Sequence, residues 1–323
     1  ALFPRARVQR LGAWVSVRHG LGIGGMLRFL WTQLVLPLKL KRLGCGRLLS
    51  PNHELVFFCP CPQVVVIHDL LPLLFPGEHP RQKSYYRYIL PRALAGVEHV
   101  VAVSENTKKD LMLHYGLPAE KVEVIYSGVD VSRFNPTRRE SPAVPYILAV
   151  GNHYPYKNFS RLIDAFAALV KEGFPQELLI AGNPEGGEGP ALRQKARALD
   201  IERKVRLIGY VPAEELPGLY SSADLFVFPS LYEGFGLPAL EAMASGCPVA
   251  ASNSSSLPEV CGEAALYFDP LDTAKMTGTM AELLRDEPLR RRLSAAGVQR
   301  ARLFSWEKTV KLYASVLGLG ASA

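Results

Sequence analysis

Acidic residues are missing from the start of this 323-residue chain. None stands between Ala1 and His53, where Arg5, Arg7, Arg10, Arg18, Arg28, Lys39, Lys41, Arg42 and Arg47 all occur. These nine cations exceed the net charge of +7, so the rest of the chain is close to neutral. Charge gathered in one apolar segment suits an anionic membrane surface better than a nucleic acid, and no nucleic-acid partner is expected. Cysteine is scarce too: there are five, an odd number, with no CxxC pair. Cys59-Pro60-Cys61 is too tight for a usual zinc pair, and the set reads as reduced thiols in a cytoplasmic protein. Long apolar runs are also absent. "MLRFLWTQLVLPLKLKRL" (Met26 to Leu43) is interrupted by Arg28 and Pro37, whereas a spanning helix needs roughly 20 apolar residues. The segment is either a core helix with a solvated basic end or a surface helix on the membrane. In the second case Trp31 sits at the interface, with Lys39, Lys41 and Arg42 among the headgroups. Finally, no strand leads into a GxGxxG with an acid about 20 residues on, which argues against a nicotinamide dehydrogenase. No DxD-like metal motif is present either.

What is present is globular: 48% hydrophobic and 21% charged, with length enough for about two domains. Apolar, β-branched runs recur as "YILAVG", "LLIAG", "VRLIG", "LFVFP", "PVAAS" and "ALYF" from Tyr146 onward. Helical spacing lies between most of them, as in Phe159 to Lys171, where Leu162, Ile163, Phe166 and Leu169 share a face. "VVVIHD" (Val64 to Asp69), "HVVAVS" (His99 to Ser104) and "VEVIYSG" (Val122 to Gly128) repeat this grammar earlier, with a helical stretch from Ser84 to Ala95. Strand and helix in alternation predict an α/β protein with doubly wound parallel sheets. "NPTRRESPAVP" (Asn135 to Pro145) is the linker candidate. The expected domains are 1–142 and 143–304, with a final helical stretch, 305–323, returning to the first. Two Rossmann-like sheets joined in this way leave a cleft between their C-terminal edges, where such folds bind ligands.

The segment "LYEGFGLPALEAMASG" (Leu231 to Gly246) places Gly234 and Gly236 between a strand and a helix opened by Pro238. Glycines there let the amides of Phe235, Gly236 and Leu237 approach an anion at the helix N-terminus. Two carboxylates, Glu233 and Glu241, flank the turn and would repel a bare phosphate. A nucleotide-sugar satisfies both features, because its diphosphate takes the amides while sugar and ribose hydroxyls bond to the acids. The alternative is that both acids simply favour a helix N-terminus.

"E-GFGLPAL-E" resembles the E-x7-E signature of the retaining glycosyltransferases of family four, which have the GT-B fold. "AVSENTKKDL" (Ala102 to Leu111), "VIYSGVD" (Val124 to Asp130), "VGNHYPYKN" (Val150 to Asn158), "IGYVP" (Ile208 to Pro212) and "SNSSSLPEVCGEAALYFDP" (Ser252 to Pro270) follow that family in order. The resemblance implies that Glu233 contacts the donor sugar, Glu241 the ribose, and Lys157 the diphosphate. The backbone at Tyr210 and Val211 would hold the base, and Leu237 would give an amide to phosphate. Gly151, Asn152, Gly234, Phe235 and Gly236 complete the donor side, and His68 would face the reacting sugar. Two features depart from the pattern. Asn152 and Tyr156 stand where many members carry an arginine. No strand with a glycine-rich loop precedes His68, so the start of the first domain reads as incomplete or divergent, and "HGLGIGG" (His19 to Gly25) lacks a strand before it. The implied activity is retaining hexosyl transfer, without metal or other cofactor, from a nucleotide-diphosphate sugar. A UDP-sugar is favoured and GDP-mannose comes second, and the acceptor is a glycan or a lipid-linked glycan. The alternatives are a GT-B-like sugar-nucleotide epimerase and a catalytically weak carbohydrate- or nucleotide-binding protein.

Overall fold

Every run singled out for its β-branched and aromatic residues is a strand in the computed structural model, which describes residues 23–136, 142–183 and 187–319. Arg5 to Arg18, most of "HGLGIGG" and the middle of the proposed linker lie outside the described residues. The strands form two all-parallel sheets. The first has β1 (Leu48–Ser50), β2 (Gln63–Ile67), β3 (His99–Ala102) and β4 (Val122–Val124) side by side in that order. The second contains β5 (Tyr146–Val150), β6 (Glu177–Ala181), β7 (Val205–Gly209), β8 (Leu225–Phe228), β9 (Val249–Ser252) and β10 (Ala265–Phe268). Its order is β10-β9-β8-β5-β6-β7. The two α/β domains have the expected Rossmann-like form.

β8, "LFVF", is buried throughout and β5, "YILAV", nearly so. Parallel strands covered by helices on both faces read as continuous apolar runs, which is why they were legible. The strand order reverses between β5 and β8, which pair directly. The loops that leave these two strands therefore diverge to opposite faces and open a crevice at their C-terminal ends. Lys157 follows β5, and Glu233 follows β8.

β1 is a strand before "VVVIHD" that its sequence did not announce, and the loop after it contains no glycine. It has only three residues, too few to show a period, and pairs in parallel with β2 at the sheet edge. The helical stretch before β3 also differs in detail. Helix Pro80–Ser84 passes through a π segment, Tyr85–Ile89, into helix Leu90–Ala95. Pro91 lacks an amide proton, and the widened turn just before it accommodates that loss.

The Met26 to Leu43 stretch forms two helices, Ile23–Leu34 and Leu36–Arg42, with Pro37 in the first turn of the second, where a missing amide costs little. Met26, Leu30, Leu34 and Leu38, each four residues from the next, are exposed, and Leu40 is buried. A fully packed core helix is therefore not what forms. No helix among the described residues is long and apolar enough to cross a membrane.

One apolar cluster runs through both domains. It includes Val64, Val66, Val101 and Ile125 of the first and Phe235, Leu240 and Met243 of the second. Phe304 and Val316 join the same cluster. Helix Trp306–Val316, capped by Ser305, lies against the first sheet's loops. Thr309 Oγ1 donates to the Tyr126 carbonyl at 2.8 Å, and the Val129 amide donates to the Phe304 carbonyl at 2.8 Å.

Candidate active site

Lys157 and Glu233, 76 residues apart in sequence, form an ion pair at the switch between β5 and β8, with Nζ 2.6 Å from Oε1. Their side chains are 12% and 11% exposed, so both charges are largely withdrawn from water. Lys157 Nζ also lies 5.3 Å from the Tyr156 ring centroid and 5.5 Å from that of Phe228. Aromatic faces offer a cation partial compensation for lost hydration.

Three residues that sequence inspection passes over hold this pair in place. Asn158 adopts φ 60°, a left-handed conformation that asparagine tolerates better than most residues. Its amide nitrogen donates to the carbonyls of Pro229 at 3.0 Å and Pro270 at 2.8 Å. These bonds tie the Lys157 loop to the ends of β8 and β10. Ser255 Oγ accepts from the Glu233 amide at 2.8 Å. Ser256 Oγ lies 2.9 Å from the Glu233 carbonyl and 2.6 Å from that of Phe235. The only sequence signals were the polar residue after Lys157 and the serine run "SNSSS".

The turn itself is built as the glycines suggested. Gly236 has φ 116°, and a Cβ there would also come within 2.8 Å of Leu257 Cδ2. Any side chain at Gly234 would collide with the His68 carbonyl across the cleft. Helix Leu237–Ala244 begins directly after this turn. The amides of Phe235, Gly236 and Leu237 make no hydrogen bond among the described residues. They are donors at the positive end of a helix, the arrangement that receives anions. The Phe235 ring points the other way, stacking on Tyr126 with centroids 6.1 Å apart.

Glu241 has a different partner from Glu233. Its Oε2 accepts from the Tyr220 hydroxyl at 3.0 Å. Burial raises the Glu241 pKa above its usual range, while the Tyr220 hydrogen bond and Arg133 oppose that shift. His68 is exposed, and its Nε2 lies 2.9 Å from the Pro51 carbonyl oxygen. Its backbone, rather than its ring, meets the glycine turn. Tyr210 is exposed, and with Val211, Tyr146 and Leu219 it lines a groove of about 680 Å³. Gly151 packs against the Lys157 stem, while Asn152 is exposed. Tyr156 is buried, its ring centroid 5.7 Å from those of both Phe75 and Tyr154. An apolar contact between the domains thus occupies one of the two positions where the family pattern places a cation.

Comparison with known proteins adds a finding to this geometry. The family model described as "Glycosyl transferases group 1" matches residues 133–300, and that described as "Glycosyltransferase Family 4" matches residues 48–133. O-antigen chain mannosyltransferase B of Escherichia coli is 33% identical over 256 residues, 76% of this chain and 67% of that protein. O-antigen chain mannosyltransferase RfbU of Salmonella typhimurium is 34% identical over 65% of this chain and 57% of its own length. The chain thus spans between about half and two thirds of these two relatives. Among solved structures, sucrose-phosphate synthase from Thermosynechococcus elongatus superposes with a TM-score of 0.75 at 21% identity, covering 89% of this chain and 77% of that one. At that identity the likeness speaks to fold, which is GT-B.

Proposed function

The chain belongs to glycosyltransferase family 4, and on that footing we propose that it moves a hexose, with retention, from a nucleotide-diphosphate sugar to an acceptor hydroxyl. The observation that carries this reading is the buried Lys157–Glu233 pair beside the amides of Phe235, Gly236 and Leu237, which have no hydrogen-bond partner among the described residues. A lysine and a helix N-terminus converge where a diphosphate would gain charge as its bond to the sugar breaks. Stabilising developing charge with fixed donors in a dry site is the most effective form of such catalysis. Glu233 then takes the sugar hydroxyls and Glu241 those of the ribose, while the base lies along Tyr210 and Val211. The bond from the anomeric carbon to the diphosphate oxygen breaks as the acceptor oxygen attacks on the same face. The departing phosphate receives the acceptor's proton. In this reading Lys157 supplies the cation, with no metal or further cofactor in the step.

Both curated relatives above are named for mannose, so we place GDP-mannose ahead of UDP-sugars as the donor to test, reversing the order favoured by the motifs alone. The proposed acceptor is a glycan or lipid-linked glycan. A panel of nucleoside mono- and diphosphates, read by thermal shift, tests the donor site. A ligand at a thousand times its Kd stabilises by about 4 kcal/mol. Donor turnover with and without acceptor, and with and without a chelator, tests the reaction. An altered sugar released without acceptor would replace transfer with epimerisation. Absence of any diphosphate binding would remove the reading.

A further inference from the structure

Ser104 and Thr107 belong to the first domain and are fully buried, yet both hydroxyls reach the carbonyl of Gly234 in the second, at 2.7 and 3.1 Å. Gly234 directly follows Glu233. The helix they open, Glu105–Tyr115, makes two further contacts across the cleft. The amides of Glu105 and Asn106 donate to the Glu259 carboxylate at 2.6 and 3.2 Å. Asp110 accepts from the Tyr232 hydroxyl at 2.6 Å. One helix therefore grips the second domain at residues 232, 234 and 259, on both sides of Glu233 in sequence. Ser104 Oγ also accepts from the Thr107 amide at 3.0 Å, so the residue that caps the helix is the residue that reaches across. A carboxylate suits the positive end of that helix, and separation of the domains would return both to water at little cost. The Gly234 carbonyl is different. It is buried, and if the domains part it loses both donors, loosening the peptide plane that it shares with the Phe235 amide, directly after Glu233 in the same turn.

We propose that Ser104, Thr107 and Glu259 are positioning residues that align the Glu233–Gly236 loop when the two domains are closed and release it when they open. The inference rests on the donor-site reading above, and its test separates the two. Thr107→Val keeps the shape but removes the hydroxyl, Thr107→Ser restores a hydroxyl, and Glu259→Ala removes the carboxylate. Hydrogen exchange of the Glu105 and Asn106 amides, measured without ligand, reports the contact itself. Binding of UDP and GDP reports the nucleotide site, and turnover of GDP-mannose and UDP-glucose reports alignment. We expect Glu259→Ala to speed exchange at both amides. Thr107→Val should lower kcat about tenfold at unchanged KM and unchanged nucleotide affinity, with recovery in Thr107→Ser. Undiminished kcat in Thr107→Val, an equal loss of nucleotide affinity, or exchange unaltered in Glu259→Ala would each overturn the proposal. If the intact protein binds neither nucleotide, the donor-site reading fails, and the exchange experiment alone decides whether this helix holds the loop.

Discussion

Glu233→Gln removes one charge from a pair that the fold has withdrawn from water. In the variant, Lys157 keeps its 12% exposure but faces a neutral amide. Removing one partner of a buried ion pair costs about 3–5 kcal/mol, because the other charge stays desolvated. The glutamine oxygen still accepts a hydrogen bond, which returns about 1 kcal/mol. The net expectation is about 2–4 kcal/mol, and at 2–4 °C per kcal/mol for a domain of this size the melting temperature falls by roughly 4–16 °C. Ligand binding should move the other way. On the proposed reading a diphosphate competes with the Glu233 carboxylate for Lys157, whereas in the variant it competes only with a neutral amide. UDP or GDP should therefore stabilise Glu233→Gln by more than it stabilises the native protein, even as transfer is lost. The measurement is a thermal melt of native protein, Glu233→Gln, Lys157→Met and the double variant, each with and without nucleotide. Coupling of the two sites requires the double variant to be far less destabilised than the sum of the singles. A melting temperature for Glu233→Gln within about 1 °C of native, against the several degrees expected, would falsify the claim that this pair is a desolvated, mutually dependent unit.

Lys157→Ala should weaken nucleoside diphosphate binding by roughly tenfold or more, since charge-assisted hydrogen bonds contribute about 1.5–3 kcal/mol. Monophosphates should change less, and equal losses measured by calorimetry would move Lys157 away from the β-phosphate. Glu241→Gln should alter the pH dependence of apo stability. Burial raises the Glu241 pKa above its ordinary 4.5, so the folded state holds the proton longer than the unfolded chain. Its contribution is fully present below that ordinary value and is lost as pH rises through the folded pKa, so the neutral amide should flatten this slope in melts from pH 4 upward. A slope unchanged in the variant would assign the effect elsewhere. We further propose that the exposed Met26, Leu30, Leu34, Leu38 row with Lys39, Lys41 and Arg42 lies on an anionic membrane surface. Vesicles containing anionic lipid should retain the protein at low salt, less so at high salt and less when the three cations become glutamine. Equal binding to neutral vesicles, or none to either, refutes it.

Much of the fold was visible in sequence because central parallel strands are apolar on both faces, as "YILAV" and "LFVF" are. β1 was not, since Leu48-Leu49-Ser50 is held by its neighbour β2 rather than by its own pattern. The E-x7-E turn was legible through its glycines, whose positions demand backbone approach and a left-handed φ. The ion pair was only half legible: each member was a candidate, but nothing in one sequence ties Lys157 to Glu233. Asn158, Ser255 and Ser256 escaped notice for a related reason. Their hydrogen bonds go to main-chain atoms of distant loops, and such bonds leave no spacing rule behind. The ring of His68, which sequence context aims at a sugar, is exposed beside Pro51.

In the cleft, protein groups partner one another where the donor is proposed to bind. Glu233 stands as the anion of Lys157, and Phe75 lies against Tyr156 and Tyr232 between the domains. Each such contact must be exchanged for one with the proposed donor, and only the difference between the two sets of contacts appears as affinity. The amides of Phe235, Gly236 and Leu237 are the exception. With no hydrogen-bond partner among the described residues, they are the part of the proposed site that a diphosphate would gain without displacing a protein contact. Binding should therefore begin with phosphate at the helix N-terminus and proceed to Lys157 only as Glu233 turns from the lysine to the sugar. That order ties release of the acid to arrival of the group it is proposed to hold. It also predicts that inorganic pyrophosphate, which has phosphate but no sugar, binds Glu233→Gln more tightly than the native protein. Equal pyrophosphate affinity for the two proteins, measured by calorimetry at fixed ionic strength, would show that the pair does not stand between the ligand and its site.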